Sequence, residues 1–410
     1  MRHEPSRLAG EPARRVPSRL VAETRRASSP AKRKPRRICF VSGTRAEFGL
    51  MRSVLHAITA APSLRLQIVL TGMHLDRSRG RSIDAIRREG WKVDRVVPWK
   101  AGKHSPIDTA QATGRAIAAM ASAYAELKPD VVLVVGDRVE AFAAAAAAHI
   151  AGIVVAHVHG GDRALGLVDD SLRHAITKLS HLHFPATRQS ARRIKRLGED
   201  PRRIVRTGAP GLDGMLAAAA QPAEVVAAFP MLRPREFALL ALHPATTDPK
   251  TERKSARTIL AAARKTWRQV VVIYPNNDPG SAGIAAEWDA RYGRDVGVIF
   301  CRDLPRAMFL GLLRDAAALI GNSSAGIIEA ASVGTPVLDI GPRQTGRERS
   351  GNVRHVEMNA AKIAIAVERI SRARRWRCGN VYIAGGAGRR IAAALAGADL
   401  EGLRRKLIAY

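Results

Sequence analysis

From Arg36 onward, short apolar runs alternate with longer stretches whose apolar residues return every three or four positions. The runs in the first part are RICFVSG (37–43), LQIVLTG (66–72), DVVLVVGD (130–137), GIVVAHV (152–158), HLHFPAT (181–187) and RRIVRTG (202–208). Each carries consecutive apolar residues, as strands covered on both faces do, and most end in Gly, Asp or Thr. The segments 47–60, 78–90, 109–127, 138–150, 169–179 and 187–197 between or after them predict helices. After GAPGLDG the rhythm loosens, then restarts. FALLALHP, QVVVIYPN, GVIFCRD, AALIGNS and TPVLDIG predict strands, and 250–265, 279–291, 304–314 and 323–333 predict helices. Such alternation predicts an α/β fold of two similar halves, each an open parallel sheet, with a hinge near 210–222. Ligands of such sheets sit beyond the carboxyl ends of the strands, here in the cleft between halves. Polar residues gather at those ends: Arg45, His74, Asp137, His159, His243, Asn276, Asn322 and Ser323.

Composition adds size and charge to this picture. The chain has 410 residues, enough for two domains, and its 46% hydrophobic content supports substantial cores. The most apolar stretch, AFAAAAAAHIAGIVVAHV, is alanine-rich and broken by His149 and Gly152, which predicts a buried helix and strand and no membrane span. Cys39, Cys301 and Cys378 are far apart and odd in number, pointing to a reducing compartment without a disulfide framework. The net charge of +31 suggests nucleic acid, but much of it is local. Residues 1–37 carry 12 Lys/Arg against 3 Glu and show no helical or strand period, so residues 1–36 read as a disordered basic arm. The arm lacks the apolar stretch of a secretory signal. Its Arg-rich, acid-poor character matches an organellar transit peptide or translation from an upstream start codon. Further Arg in 188–206 and 372–390 lacks the interleaved aromatics on which single-strand binders stack bases, which argues against nucleic-acid binding as the main function.

Candidate chemistry sits in five places. SGTRAEFG (42–49) joins a strand to a helix, with Gly43 for a tight turn, Thr44 as a cap and Arg45 beside free N–H groups. It reads either as an anion site or as an ordinary loop with a surface Arg. In IGNSSAGIIEAASVGTPVLDIG (320–341), Asn322, Ser323 and Ser324 stand where a helix begins, a place that favours phosphate, and Glu329 follows within reach of ribose hydroxyls. HPATTDP ends a strand with His243; YPNNDPGS offers Asn276 and Asp278, as ligand groups or as an Asx turn. HVHGGDRALGLVDDSLRHAI (157–176) concentrates His157, His159, His174, Asp162, Asp169, Asp170, Arg163 and Arg173, beside Asp137 and Arg138 of GDRVE. Asp169 or Asp170 would cap the helix that carries Arg173 and His174. Clustered carboxylates, imidazoles and guanidiniums shift one another's pKa and support general acid/base work. The spacing is not that of a zinc site, nearby Arg disfavours a cation, and no nucleophile elbow is present.

As a set, GTRAEFG, TGMHL, VVGDRVEA, HVHGGD…DDSLRHAITKLSHLHF, RTGAPGLD, HPATTD, YPNNDPGS, GNSSAGIIEA, GTPVLDIGPRQTGRE and NV resemble the UDP-N-acetylglucosamine 2-epimerase family, over roughly 38–357. Non-hydrolysing members carry an acidic residue in place of His159, followed by Ala-Gly-Leu-Arg, and Asp-Ser-Gly-Gly in place of Asn322-Ser323-Ser324, so the resemblance is to the hydrolysing branch. It implies two Rossmann-like domains of GT-B type, at 37–212 and 222–370; the Arg-rich tail at 371–410 lies outside the resemblance, with helix as one reading of it. It also implies conversion of UDP-GlcNAc and water to N-acetylmannosamine and UDP, for sialic-acid-type sugars, through elimination to a glycal and hydration. The chief alternative is a sibling acting on UDP-2,4-diacetamido-2,4,6-trideoxyglucose; a GT-B glycosyltransferase ranks below it. The implied enzyme is cytoplasmic and homo-oligomeric (two or four copies), with a UDP-sugar as partner and no metal or cofactor. Carried over by position, Arg45, Ser323, Ser324 and Arg343 contact the diphosphate, with Asn276 and Asn322 beside them. Glu329 holds ribose and His243 lies near the leaving phosphate. Asp137, His159, Asp170 and Arg173 surround the sugar, with Glu47, His74 and Asp169 as further contacts. The base is Asp137 or Asp170. Two departures stand out: Glu47 replaces an Asp common in the family, and Asp76-Arg77-Ser78-Arg79-Gly80 replaces Ser-Pro-Glu-Phe-Gly, which leaves the exact sugar open.

Overall fold

A computed structural model describes residues 34–76, 81–99, 106–163, 168–275, 280–302 and 304–409. Most of the basic arm, Asn276 and Asp278, and Arg77 to Gly80 lie outside the described residues.

The first sheet comprises β1 (Arg36–Ser42), β2 (Leu64–Leu70), β3 (Arg95–Val96), β4 (Val131–Val135), β5 (Val154–Val158) and β6 (Leu182–Phe184), in the order β3-β2-β1-β4-β5-β6. The second comprises β7 (Phe237–Ala241), β8 (Gln269–Ile273), β9 (Val298–Cys301), β10 (Ala318–Gly321), β11 (Val337–Ile340) and β12 (Val353–Val356), in the order β12-β11-β10-β7-β8-β9. All pairings are parallel. Both orders are therefore 3-2-1-4-5-6 within a half, the doubly wound Rossmann arrangement. β4, β5 and β7 are buried at every position, which is why their sequences are Val, Leu, Ala and Phe broken by a single His. The order in which strands are added reverses between β1 and β4 and between β7 and β10. Those switch points put the loops after Ser42, Val135, Ala241 and Gly321 at the two crevices.

Three elements differ from the sequence pattern. RRIVRTG forms no strand, only a bridge from Ile204 to His183, because a run with Arg at three of seven positions cannot be covered on both faces. β3 and β12 were not anticipated; both are short, carry Arg and lie at sheet edges, where the apolar pattern fades. The helix expected over 323–333 is split at Glu329 into Ser324–Ile328 and Ala330–Val333.

The tail contains two helices, Ala387–Gly397 and Leu400–Arg404. Ile391, Leu395 and Leu403 join the apolar core of the first half, among Val54, Leu55 and Ile58. Asp213, in the segment that joins the two sheets, accepts the backbone N–H of Ala387 at 3.0 Å and of Gly388 at 2.7 Å, so its carboxylate caps the returning helix. Both sheets belong to one compact unit, Pro35–Tyr410. Among the described residues no helix is long and apolar enough to cross a membrane.

Candidate active site

β5 runs directly into the His159-Gly160-Gly161-Asp162 turn. His159 takes a left-handed φ of 63°, and Gly161 one of 74°. For a non-glycine residue this costs on the order of 1–3 kcal/mol unless packing enforces it. Here it does. A Cβ on Gly161 would stand 2.3 Å from the Ser190 carbonyl oxygen, and one on Gly160 would stand 2.9 Å from His157 Nδ1. The paired glycines thus press the turn onto helix Arg188–Arg196 and onto β5. The turn brings His159 Nδ1 to 3.0 Å from Asp162 Oδ2, while Ser190 Oγ donates to Asp162 Oδ1 at 2.6 Å. Burial pushes the Asp162 carboxyl up, but His159, the Arg347 charge and Ser190 outweigh it and hold the group below its ordinary value. His157 is fully buried, and burial drives it down to about 3, so it is neutral. Its Nε2 lies 2.7 Å from the Gly136 carbonyl, which it holds by donation, anchoring the turn that precedes Asp137.

Asp137 follows β4, the neighbour of β5, and Asp137 Oδ2 accepts a hydrogen bond from Arg173 Nη2. Arg173 is on helix Asp169–Leu179, with its side chain only 4% exposed. Its Nε and Nη1 have no partner among the described residues. Burial lowers its pKa to about 9, with Arg347 and Arg193 adding repulsion against a favourable Tyr382. Unmade hydrogen bonds from a buried guanidinium are costly, so these two N–H groups favour an oxygen acceptor. Asp169 and Asp170 open the helix instead of capping it; the cap position is Val168, and their carboxylates lie at the positive end of the helix dipole. Asp170 Oδ2 lies 3.6 Å from His174 Nε2.

Glu47 and His74 face inward. Glu47 Oε2 accepts the N–H of Gly43 at 2.8 Å and of Thr44 at 2.9 Å, completing a capping box, so those amides are not available to an anion. Burial raises Glu47 to about 7, with Glu140 adding to the rise and Arg138 and the amides opposing it. His74 is fully buried, with Nε2 at 2.9 Å from Ser42 Oγ and Nδ1 at 2.8 Å from Ser82 Oγ. Burial lowers it to about 4. Both residues therefore brace the loops after β1 and β2, and no atom of the His74 ring is left for a sugar. Arg45 remains exposed at the loop.

In the second half, Asn322 is also a brace. Its Oδ1 accepts His243 N–H and its Nδ2 donates to the His243 carbonyl, both at 2.8 Å, clamping the ends of β7 and β10. Its own carbonyl takes Arg343 Nη1 at 3.2 Å and Gln344 Nε2 at 2.8 Å. The amide expected to meet phosphate is thus spent on backbone. His243 Nδ1 is buried without a partner among the described residues, and burial and Arg343 lower the ring to about 3, so it is neutral. Ser323 caps helix Ser324–Ile328 by accepting the Ala325 N–H at 3.3 Å. Glu329 Oε1 takes Arg306 Nη2 at 2.7 Å, and Arg306 also reaches the Gly211 carbonyl at 3.1 Å. The halves meet beside the His159 turn: Arg193 donates to Gly161 O at 2.8 Å and Gly346 O at 3.1 Å, and Arg347 to Arg163 O at 3.0 Å.

A family model for UDP-N-acetylglucosamine 2-epimerase matches residues 56–396. The chain belongs to that family. It is 36% identical over 324 residues (79% of this chain and 85% of the relative) to UDP-N,N'-diacetylbacillosamine 2-epimerase (hydrolyzing) of Legionella pneumophila. It is 33% identical over 333 residues (81% and 87%) to a UDP-N-acetylglucosamine 2-epimerase of Neisseria meningitidis. Among solved structures, the N. meningitidis UDP-GlcNAc 2-epimerase bound to UDP-GlcNAc superposes with a TM-score of 0.75 at 20% identity, covering 88% of this chain and 99% of that one. A Methanocaldococcus jannaschii UDP-GlcNAc 2-epimerase gives 0.74 at 19% identity, covering 88% and 99%. The shared fold is of GT-B type. Within this epimerase family member, sequence reasoning passed over Ser190, Gln344, Arg306 and Arg347, and it named Asp162 in the cluster without giving it a role of its own. Asp162 was visible three residues after His159, a spacing a tight turn folds back on itself. Arg306 and Arg347 carried no signal, because each acts on residues far away in sequence.

Proposed function

We propose that this enzyme is a hydrolysing 2-epimerase of a UDP-linked 2-acetamido sugar, releasing the C2-epimerised free sugar and UDP. The observation that carries the reading is the Asp137–Arg173 pair, with two buried guanidinium nitrogens unspent, beside the His159–Asp162 pair at the ends of adjacent strands. In the proposed course, the C1–O bond breaks first and its electron pair leaves with UDP. Positive charge at C1 then makes the C2 hydrogen labile. Asp137 or Asp170 takes that proton, and the C–H electrons form the C1=C2 bond of a glycal. Water adds at C1 while a proton is delivered to the opposite face of C2. Ser323, Ser324, Arg45 and Arg343 stabilise the departing diphosphate, His243 stands near it as a neutral donor, and Glu329 holds the ribose through Oε2. UDP-N,N'-diacetylbacillosamine, named for the 36% relative, is the first substrate to test; UDP-GlcNAc, named for the 33% relative, is the second. Free N-acetylmannosamine for sialic-acid-type sugars is the product in the second case.

The deciding experiment is incubation with each sugar in deuterated water and NMR of the reducing sugar released. A free, manno-configured product with deuterium at C2 is expected. A product still attached to UDP would mean the non-hydrolysing reaction, and one attached to an acceptor would mean transfer. For the nucleotide half, Ser323→Ala is expected to weaken UDP by about 1 kcal/mol, roughly fivefold, by titration calorimetry. Unchanged affinity would remove Ser323 from the phosphate site.

A further inference from the structure

We propose that Asp162, braced by Ser190 and Thr187, is a positioning residue that locks His159 as its Nδ1–H tautomer and presents Nε2 as a proton-transfer atom of the site. For the reaction served, this rests on the epimerase reading above; for the tautomer, it rests on geometry alone.

The hydrogen-bond directions follow from which partners are able to donate. An ionised carboxylate only accepts, so His159 Nδ1, 3.0 Å from Asp162 Oδ2, must carry the hydrogen. Ser190 Oγ, 2.6 Å from Asp162 Oδ1, must likewise point its hydrogen at the carboxylate. Having spent it, Ser190 accepts from Thr187 Oγ1 at 2.9 Å, while Thr187 Oγ1 accepts the Ser190 N–H at 3.1 Å. The chain Thr187–Ser190–Asp162–His159 therefore has one consistent set of directions. Thr187, Ser190 and Asp162 are 1%, 1% and 7% exposed, so no water competes for these bonds. The backbone closes the remaining freedom: His159 N–H is held by the Phe184 carbonyl at 3.2 Å, and its left-handed turn is fixed by the two glycines.

The remaining ring nitrogen, Nε2, has no partner among the described residues, and the side chain keeps 10% exposure. With Nδ1 protonated, Nε2 carries the lone pair. It takes one proton to become imidazolium, or gives one back, without the ring turning. Asp162 is the acidic group in direct contact with the ring, which makes it the lever on the tautomer.

The test uses full-length protein labelled with 15N at histidine, read by long-range imidazole NMR across pH, with His159→Gln to assign the signal. Wild type is expected to show a single Nδ1–H tautomer. In Asp162→Asn, which preserves shape, the second tautomer is expected to appear, because an amide is able to donate to Nδ1 as well as to accept from it. On the preferred UDP-sugar, kcat should fall by more than KM changes. Ser190→Ala should give a smaller fraction of the second tautomer and stands in if Asp162→Asn fails to fold. An Nε2–H tautomer in wild type, or a single Nδ1–H tautomer persisting in both folded variants, would overturn the proposal. Absence of turnover on both sugars would instead overturn the epimerase reading, with the NMR result standing apart from it.

Discussion

Asp137→Asn is expected to lower turnover by about 10²–10⁴-fold while leaving UDP affinity nearly intact. The amide is the same size as the carboxylate and its Oδ1 still accepts from Arg173, so the buried guanidinium keeps its partner. What it loses is the capacity to take a proton and the negative charge that offsets Arg173 and the neighbouring Arg193 and Arg347. The uridine end is expected to bind to the other half, through Ser323 and Glu329, and should not sense the change. Steady-state rates together with UDP calorimetry check both parts. Undiminished turnover would take Asp137 out of the chemistry and leave Asp170 as the base; a parallel collapse of UDP binding would mean the pair is architectural.

The second large effect concerns stability. Glu199 is 1% exposed yet meets three cationic or imidazole partners: Lys178 Nζ at 2.6 Å, Lys406 Nζ at 2.9 Å and His183 Nε2 at 3.2 Å. Burial alone would raise its pKa, but these bonds outweigh it and bring it down to about 2. Because the folded value lies below the ordinary 4.5, this stabilisation is present above about pH 4.5 and is lost as pH falls towards 2. Lys406 comes from the tail, so Glu199 fastens the tail to the first half, and Ala409 N–H adds a bond to the adjacent Gly198 carbonyl at 2.8 Å. Glu199→Gln should cost about 3–5 kcal/mol at pH 7, the scale of breaking a buried ion pair, and lower Tm by several degrees. Melts at pH 7 and pH 3 check it: the gap between wild type and variant should narrow at the lower pH. Equal Tm values at pH 7 would mean that Lys406 and Lys178 contribute nothing through this carboxylate.

The fold was legible because burial on both faces leaves its mark on every residue of a central strand. Val131 to Val135 or Phe237 to Ala241 have no polar face to confuse the pattern. Edge strands carry no such mark, which is why Arg95–Val96 and Val353–Val356 escaped and Arg202 to Gly208 was over-read. The site was legible at the level of loops. Parallel sheets place functional groups after strand ends, and Asp137, His159, His243 and Ser323 all follow one.

What each polar group does there was another matter. Glu47, His74 and Asn322 stand at the expected places but turn inward, because a buried loop must satisfy its backbone N–H and C=O groups and a nearby carboxylate, imidazole or amide is the means. The sequence alone determined the parallel α/β architecture in two halves, the strand ends that bear polar groups and the family, since these depend on periodicity and on local motifs. Only the tertiary structure decided which polar residues support the loops and which stay open to a ligand. It also decided that Asp162 engages His159, that Arg173 keeps unspent donors, and that the tail's Lys406 closes on Glu199. Those outcomes depend on the direction of each side chain and on partners many residues away, and no local pattern encodes either.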